Sequence, residues 1–106
     1  MSFLNHNQIE DYNNKGYVSP INIFSKQEAK EIREEIEKIE KKWPEALTGL
    51  NRNYVHLISP VFDKICHNSK ILDAVESLIG KNILICGTTL FIKNPNEKGF
   101  VSFHQD

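Results

Sequence analysis

The chain has 106 residues, 40% of them hydrophobic and 25% charged, and its 13 basic and 14 acidic residues give a formal net charge of -1. This composition is typical of one small globular domain and excludes collagen-like and disordered chains. The near-neutral charge, with no basic face or arginine-aromatic tract, argues against nucleic acid as a partner.

Targeting signals and disulfide patterns are not evident. No apolar run approaches the roughly 20 residues that cross a bilayer, and the first residues lack the basic and apolar regions of a secretion signal. We therefore expect a cytoplasmic protein with no membrane partner. Cys66 and Cys86 are predicted to be reduced thiols and not metal ligands, because neither belongs to a C-x-x-C pair.

The N-terminal part is predicted to begin with a short helix. Asn5 followed by Gln8 resembles a capping box, and Gly16 can supply a left-handed stop, which predicts a polar helix over 6–15. In the extended chain that follows, Pro20 favours an edge position or a bend.

The clearest predicted helix begins after Ser25, which forms a second capping box with Glu28, and it ends before Pro44. Apolar residues recur along it every three or four positions as one stripe: Ala29, Ile32, Ile36, Ile39 and Trp43. The glutamates and lysines between them are predicted to form a solvated face.

Two further helices are predicted after a loop over 45–58 that contains one extended piece. Ser59 and Pro60 fit the N-cap and first turn of a short helix, and Asn68 begins a longer helix that Gly80 ends. The longer helix is expected to bury one face, formed by Ile71, Leu72, Val75, Leu78 and Ile79.

From residue 82 the sequence becomes rich in β-branched and aromatic residues. The run 82–93 predicts a strand buried on both faces, 94–99 a polar turn, and 100–106 a second strand that can form a hairpin with the first. The expected fold class is therefore α+β, with helices first and the beginning of a sheet after them.

The predicted last strand carries a possible metal-binding pair. Alternate side chains share one face of a strand, so His104 and Asp106 would point the same way, about 6.6 Å apart, and could lean onto one metal ion. Such a pair, completed by a distant histidine, is the facial triad of non-haem iron(II) oxygenases. So short a motif is equally consistent with an exposed histidine and aspartate near a frayed end.

Residues 56–106 strongly resemble part of the phytanoyl-CoA dioxygenase family of iron(II)- and 2-oxoglutarate-dependent oxygenases, above all in "ILDAVESLIG", "LFIK" and "FVSFHQD". The stretch "GYVSPINIFSKQEAKEIREEIEKIE" looks like the opening strand and helix of that family. Phe103 stands where the family often has tryptophan, and Ser69 where proline is common, but neither is a ligand position. The resemblance implies an incomplete double-stranded β-helix, a jelly roll of the cupin type, with residues 1–106 as the N-terminal part of one domain.

The resemblance also implies a set of site residues. His104 and Asp106 would be the first two iron ligands. Thr89, on the same strand face as Ile83, Ile85, Gly87 and Phe91, would contact 2-oxoglutarate, and a half-buried structural threonine is the alternative. His56 and Arg52 would lie near the same cosubstrate, and no residue is assigned a catalytic role.

The implied reaction is hydroxylation of an unactivated C–H bond of a small organic substrate with O2, Fe(II) and 2-oxoglutarate, and ascorbate is a further candidate cofactor. Asp106 occupies a position that is glycine or alanine in halogenating relatives, which favours hydroxylation. Because the second histidine and the 2-oxoglutarate-binding arginine lie further downstream in the family, we expect these 106 residues to be a fragment that is inactive, binds iron feebly and is poorly soluble.

Two other classes of function stay open on the sequence. One is a non-catalytic binding or scaffold module whose sheet is completed by a partner. The other is a structural zinc or nickel protein of the cupin type. Nothing in the sequence indicates the substrate or the oligomeric state.

Overall fold

A computed structural model describes residues 3–105. Within that range four α-helices form, in chain order α1 (His6–Lys15), α2 (Lys26–Lys42), α3 (Pro60–Cys66) and α4 (Ser69–Ile79). Two short 3-10 turns lie between α2 and α3, at Gly49–Arg52 and Val55–Leu57. None of the helices in this range is both long and apolar enough to cross a membrane.

The helix starts follow the capping signals of the sequence. Asn5 and Gln8 form a reciprocal capping box at α1, in which each side chain accepts a hydrogen bond of 3.0 Å from the other residue's backbone N–H. Ser25 and Glu28 do the same at α2, at 2.7 and 3.2 Å. Gly16 ends α1 with φ 81°, a left-handed conformation that glycine adopts without a Cβ clash. The predicted helices are therefore confirmed.

The core lies where α2 and α3 meet the second 3-10 turn. Leu47, Val55 and Phe62 are buried there, and partly buried apolar residues pack around them: Ile36, Ile39, Ala46, Ile65 and Leu90. A separate contact joins the N-terminus to α4, where Leu4 is buried and its N–H donates to Ser77 Oγ at 3.3 Å.

The apolar stripes of the two longest predicted helices are only partly buried. On α2 the central isoleucines are half-buried, whereas Ala29 and Trp43 at the ends of the stripe are exposed. On α4 the buried residue is Ala74, and Ile79 is exposed although the pattern assigned it to the buried face. Both ends of the α2 stripe and the C-terminal end of the α4 stripe are therefore exposed, and the other residues of the two stripes are half-buried.

The predicted α+β fold with the first strands of a double-stranded β-helix is wrong. The part of the chain from 3 to 105 contains no β-strand, and its β-type pairing is limited to an isolated antiparallel bridge between Asn53 and Thr89. The polar turn does form, with the Glu97 N–H donating to the Asn94 carbonyl at 3.3 Å, but the segments on either side of it do not pair. The loop over 45–58 also differs, because it contains the two 3-10 turns and no strand.

The missing strands have a physical reason. Strand preference is mainly a preference for packing against cross-strand and same-face neighbours, so an apolar, β-branched run forms a strand only where such neighbours exist. A hairpin on its own is marginal in water. Leu84, Phe91 and Phe100 are exposed, so no packed neighbours cover the segments that were predicted to form the two strands.

Candidate functional site

Two chain segments distant in sequence meet beside the second 3-10 turn. The Tyr54 N–H donates to the Thr88 carbonyl at 2.7 Å, and the Leu90 N–H donates to the Arg52 carbonyl at 2.9 Å. These two bonds flank the Asn53–Thr89 bridge. We call this contact between 52–56 and 86–90 the junction. It brings together Arg52, His56 and Thr89, the residues that the family resemblance assigns to 2-oxoglutarate.

A side-chain hydrogen bond closes one side of the junction. His56 Nδ1 lies 2.7 Å from Thr88 Oγ1, and the backbone N–H of His56 donates to the same oxygen at 3.5 Å. If the hydroxyl donates to Nδ1 while it accepts from the backbone, all these polar groups are satisfied. His56 and Thr88 are both half-buried, so their bond is partly shielded from competing water.

Thr89 makes the weaker contact of the two threonines. Its hydroxyl donates to Asn53 Oδ1 at 3.0 Å, but both residues are exposed. The predicted face shared by Thr89 with Ile83 and Ile85 is not observed, because those isoleucines are half-buried and Thr89 is not. Thr88 is therefore the residue that faces His56.

A one-residue change of phase explains this difference. Alternate residues are half-buried at 83 and 85, and then at 88, 90 and 92, so the alternation shifts between Cys86 and Gly87. Glycine within a strand-like run often marks such an irregularity or a close approach of other groups. A Cβ atom on Gly87 would lie 3.3 Å from Tyr54 Cε1, so the tyrosine ring packs directly on this glycine.

Tyr54 shapes the entrance of a cavity at the junction. Its backbone is left-handed, with φ 55° and ψ 34°, and its ring lies 6.5 Å from the His56 ring, centroid to centroid. The cavity has a volume of about 380 Å³ and is lined by Asn53, Tyr54, Cys86, Gly87, Thr88 and Thr89. It therefore offers hydroxyl, amide and thiol groups and no charged side chain.

Arg52 lies beside this cavity and not among its lining residues. Its Nε donates to the Leu47 carbonyl at 2.9 Å, which ties the guanidinium to the loop that precedes the junction. Its charge is felt at Glu97, whose pKa is held below the usual value mainly by hydrogen bonds from Asn94 and to a lesser degree by Arg52 and Lys93. Arg52 thus acts first as a structural residue of the loop.

His104 lies in an exposed, irregular segment. Its Nδ1 is 2.8 Å from the Ser102 carbonyl, which can only accept, so Nδ1 carries a proton and donates this hydrogen bond. Asp106 lies outside the described residues, so the prediction that its side chain shares a strand face with His104 also falls outside them. Between residues 3 and 105, no group of three or more His, Cys, Asp or Glu side chains is arranged to hold a metal ion.

Two residues of the junction, Thr88 and Tyr54, were not predicted from the sequence. The signal for Thr88 was Gly87, whose presence in a strand-like run makes the phase of the following residues uncertain. No local sequence signal predicts the left-handed backbone of Tyr54, which is uncommon for an aromatic residue. In the structure Tyr54 contacts Gly87 and Thr88, which are distant in the sequence.

Comparison with known proteins leaves the family open. No protein-family model, no curated protein and no solved structure matches this chain. The resemblance to the phytanoyl-CoA dioxygenase family accordingly stays a prediction made from the sequence.

Proposed function

We propose that these residues contribute to the active site of an iron(II)- and 2-oxoglutarate-dependent oxygenase that hydroxylates an unactivated C–H bond of a small organic substrate. One geometric observation supports the proposal. Of the residues that the resemblance assigns to the cosubstrate, Arg52 and His56 lie in one segment of the junction and Thr89, 33 to 37 positions later, lies in the other and lines its cavity.

The metal part of the proposal rests on His104 and Asp106. Histidines that bind metals commonly hydrogen-bond a backbone carbonyl through their other ring nitrogen, and the hydrogen bond between His104 Nδ1 and the Ser102 carbonyl has this form. A facial triad requires a carboxylate and a second histidine besides. In this proposal Asp106 is the carboxylate. The residues that the structure describes do not provide a second histidine as part of a metal-binding group with His104.

Iron(II) with bound 2-oxoglutarate would supply the activation of O2 that the reaction requires. The chain's own residues would do the rest. Tyr54 and Asn53 line the junction cavity, and the hydroxyl of the one and the side-chain NH2 of the other can donate hydrogen bonds to a carboxylate of the cosubstrate. The His56–Thr88 bond would keep the two walls of that cavity at a fixed separation.

An anaerobic titration tests the proposal. Iron(II) chelated by a 2-oxo acid develops a visible charge-transfer absorption, which we expect to appear weakly when iron(II) and 2-oxoglutarate are added to the 106-residue chain. His104→Ala should abolish it, and His6→Ala, at another exposed histidine, should leave it unchanged. An absorption that survives His104→Ala would contradict the proposal. We expect no succinate from this chain in air, since two ligands alone hold the ion poorly.

A second candidate is a non-catalytic binding module. It is favoured by the large apolar side chains that stay exposed along the C-terminal segment: Leu84, Phe91, Phe100 and Phe103. The idea of a sheet completed by a partner is dropped from it, because the described residues form no sheet. Indifference of the chain to iron, 2-oxoglutarate and chelators, together with a partner-dependent gain in stability, would favour this candidate over the oxygenase.

A further inference from the structure

A second cavity lies between the C-terminal half of α2 and the beginning of α3. Its volume is about 610 Å³, within the range of about 300–1,000 Å³ that small-molecule sites occupy. Most of its wall is apolar, and includes Ile39, Trp43, Ile58 and Pro60. Trp43 and Ile58 are more than half exposed, so a molecule that covers them removes apolar surface from water, which is favourable.

A serine hydroxyl without a protein partner belongs to a residue that lines this cavity. Ser59 occupies the N-cap position of α3, yet its side chain makes no capping hydrogen bond. The residue is only 9% exposed, and no hydrogen bond of its hydroxyl is found within the described part of the chain. Every fully enclosed side-chain N or O atom of residues 3–105 has a partner, so the Ser59 hydroxyl is still accessible to solvent and can bond a ligand in the cavity that Ser59 lines.

One acidic and one basic residue line the cavity. Glu35 lines the cavity, but its carboxylate already accepts a hydrogen bond of 2.5 Å from Lys38 Nζ. Lys64 lines it as well, and this lysine forms no ion pair with any described residue. A lysine that forms no ion pair and a serine whose hydroxyl has no protein partner therefore line the same, mostly apolar cavity.

We propose that this cavity binds a small apolar carboxylate, an aromatic or branched aliphatic acid. Its apolar body covers Trp43 and Ile58, and its carboxylate accepts hydrogen bonds from the Ser59 hydroxyl and the Lys64 ammonium. A neutral alcohol of the same shape keeps the apolar contacts and loses the ion pair. The corresponding amine is repelled by Lys64. This inference is independent of the function proposed for the junction, because the two cavities share no lining residue.

Trp43 gives a direct readout of binding, because it is the single tryptophan of the chain and lines the cavity. The full chain is titrated with phenylbutyrate and, in parallel, with phenylbutanol, and the emission of Trp43 is followed. We expect phenylbutyrate to bind more tightly than phenylbutanol. Ser59→Ala should weaken phenylbutyrate binding about tenfold, since a hydrogen bond to a charged group is lost.

Lys64→Gln should weaken phenylbutyrate about three- to fivefold, the size of a partly exposed ion pair, and should leave phenylbutanol unchanged. Lys81→Gln, at an exposed lysine outside the cavity, is the matched control and should change neither. Thermal unfolding shows whether Ser59→Ala is still folded. Lys64→Gln tests carboxylate binding independently, because Lys64 is exposed and its substitution should not disturb the fold.

Equal affinity for acid and alcohol, no effect of Lys64→Gln, or no response of Trp43 to phenylbutyrate would overturn the proposal. So would emission that changes with protein concentration together with dimer formation, because a second copy would then be the occupant.

Discussion

The hydrogen bond between His56 and Thr88 joins two segments 32 residues apart, and both residues are half-buried. Thr88 accepts from the His56 backbone and bonds the His56 ring, so its removal leaves polar atoms of a half-buried residue without a partner. The neighbouring Thr89 bonds Asn53 at an exposed position, where water can replace it. Two adjacent and chemically identical residues therefore differ in what they contribute.

Thr88→Val should lower the free energy of unfolding by about 1 kcal/mol, the usual net value of a hydrogen bond whose partner stays partly buried. Thr89→Val removes the same hydroxyl one position further and should cost less than about 0.5 kcal/mol, as exposed substitutions do. Urea unfolding of the two variants and the parent chain measures both. Equal losses, or a larger loss for Thr89→Val, would contradict the assignment of Thr88 to the buried side.

The junction contains Arg52, His56 and Thr89, which the resemblance assigns to the cosubstrate, but its half-buried threonine is Thr88. Alternation is a reliable guide only while the extended chain is regular, and the shift at Cys86–Gly87 inverts it for all later residues. The meeting of 52–56 with 86–90 was suggested only by the family resemblance. Local pattern contains no information on which distant segments will pair.

The helices are the elements whose formation depends most on nearby residues. The α2 capping box combines the Ser25 hydroxyl with the Glu28 carboxylate, which accepts from the Ser25 N–H at 2.7 Å. That backbone hydrogen bond, with the bond to the Ser25 side chain, holds the pKa of Glu28 below its ordinary value of 4.5. A carboxyl whose pKa is depressed on folding stabilises the fold above its unfolded pKa, and this contribution is lost as the pH falls through the folded pKa.

Glu28→Gln should therefore reduce the loss of stability between neutral pH and about pH 3, because glutamine keeps the capping hydrogen bond but does not titrate. Urea unfolding at a series of pH values gives the slope of stability against pH for each protein. Glu40→Gln removes a charge from the same helix away from the capping box and serves as the control. A slope that Glu28→Gln leaves as steep as in the parent chain would count against the capping role of this carboxylate.

The four helices could be predicted because caps, stops and apolar spacing all lie within a few residues of each helix. The absence of the predicted strands could not be foreseen, because the composition of 82–93 indicates a strand preference that only pairing with a partner segment can satisfy. In the structure that partner is the short stretch 52–54, which supports an isolated bridge and not a ladder.

Backbone amide exchange tests this description of the C-terminal segment. We expect slow exchange at Tyr54 and Leu90, whose N–H groups donate across the junction, and fast exchange at Val101 and Phe103, which are exposed and form no backbone ladder. Alternating protected amides in both 83–92 and 100–105 would instead indicate the hairpin that the sequence predicted.

The molecule as a whole combines a small core with much exposed apolar surface. Among residues 3–105 the buried apolar residues are few: Leu4, Leu47, Val55, Phe62 and Ala74. Large apolar side chains exposed along the C-terminal segment, together with a net charge of only -1, favour self-association. The poor solubility expected from the sequence stays a prediction that follows from this surface.

Phe62 lies in the buried core, and Phe103 lies in the exposed C-terminal segment. Phe62→Ala should cost about 3–5 kcal/mol, because it empties the centre of the core beside Leu47 and Val55. Phe103→Ser should leave the unfolding free energy unchanged within about 0.5 kcal/mol and reduce self-association, since the Phe103 side chain is fully exposed. Urea unfolding and sedimentation velocity measure these outcomes. A large loss of stability on Phe103→Ser would show that this side chain packs in the folded chain.

The most direct test of the proposed oxygenase role is paramagnetic broadening of backbone NMR signals by Mn(II). This ion substitutes for Fe(II) at sites with nitrogen and oxygen ligands and does not need anaerobic handling. With Mn(II) alone we expect broadening confined to residues near His104, and with 2-oxoglutarate present we expect it to extend to 53–56 and 86–89 of the junction. His104→Ala should remove both effects, and His6→Ala should remove neither. Broadening that ignores His104, or a junction that never responds to 2-oxoglutarate, would contradict the account.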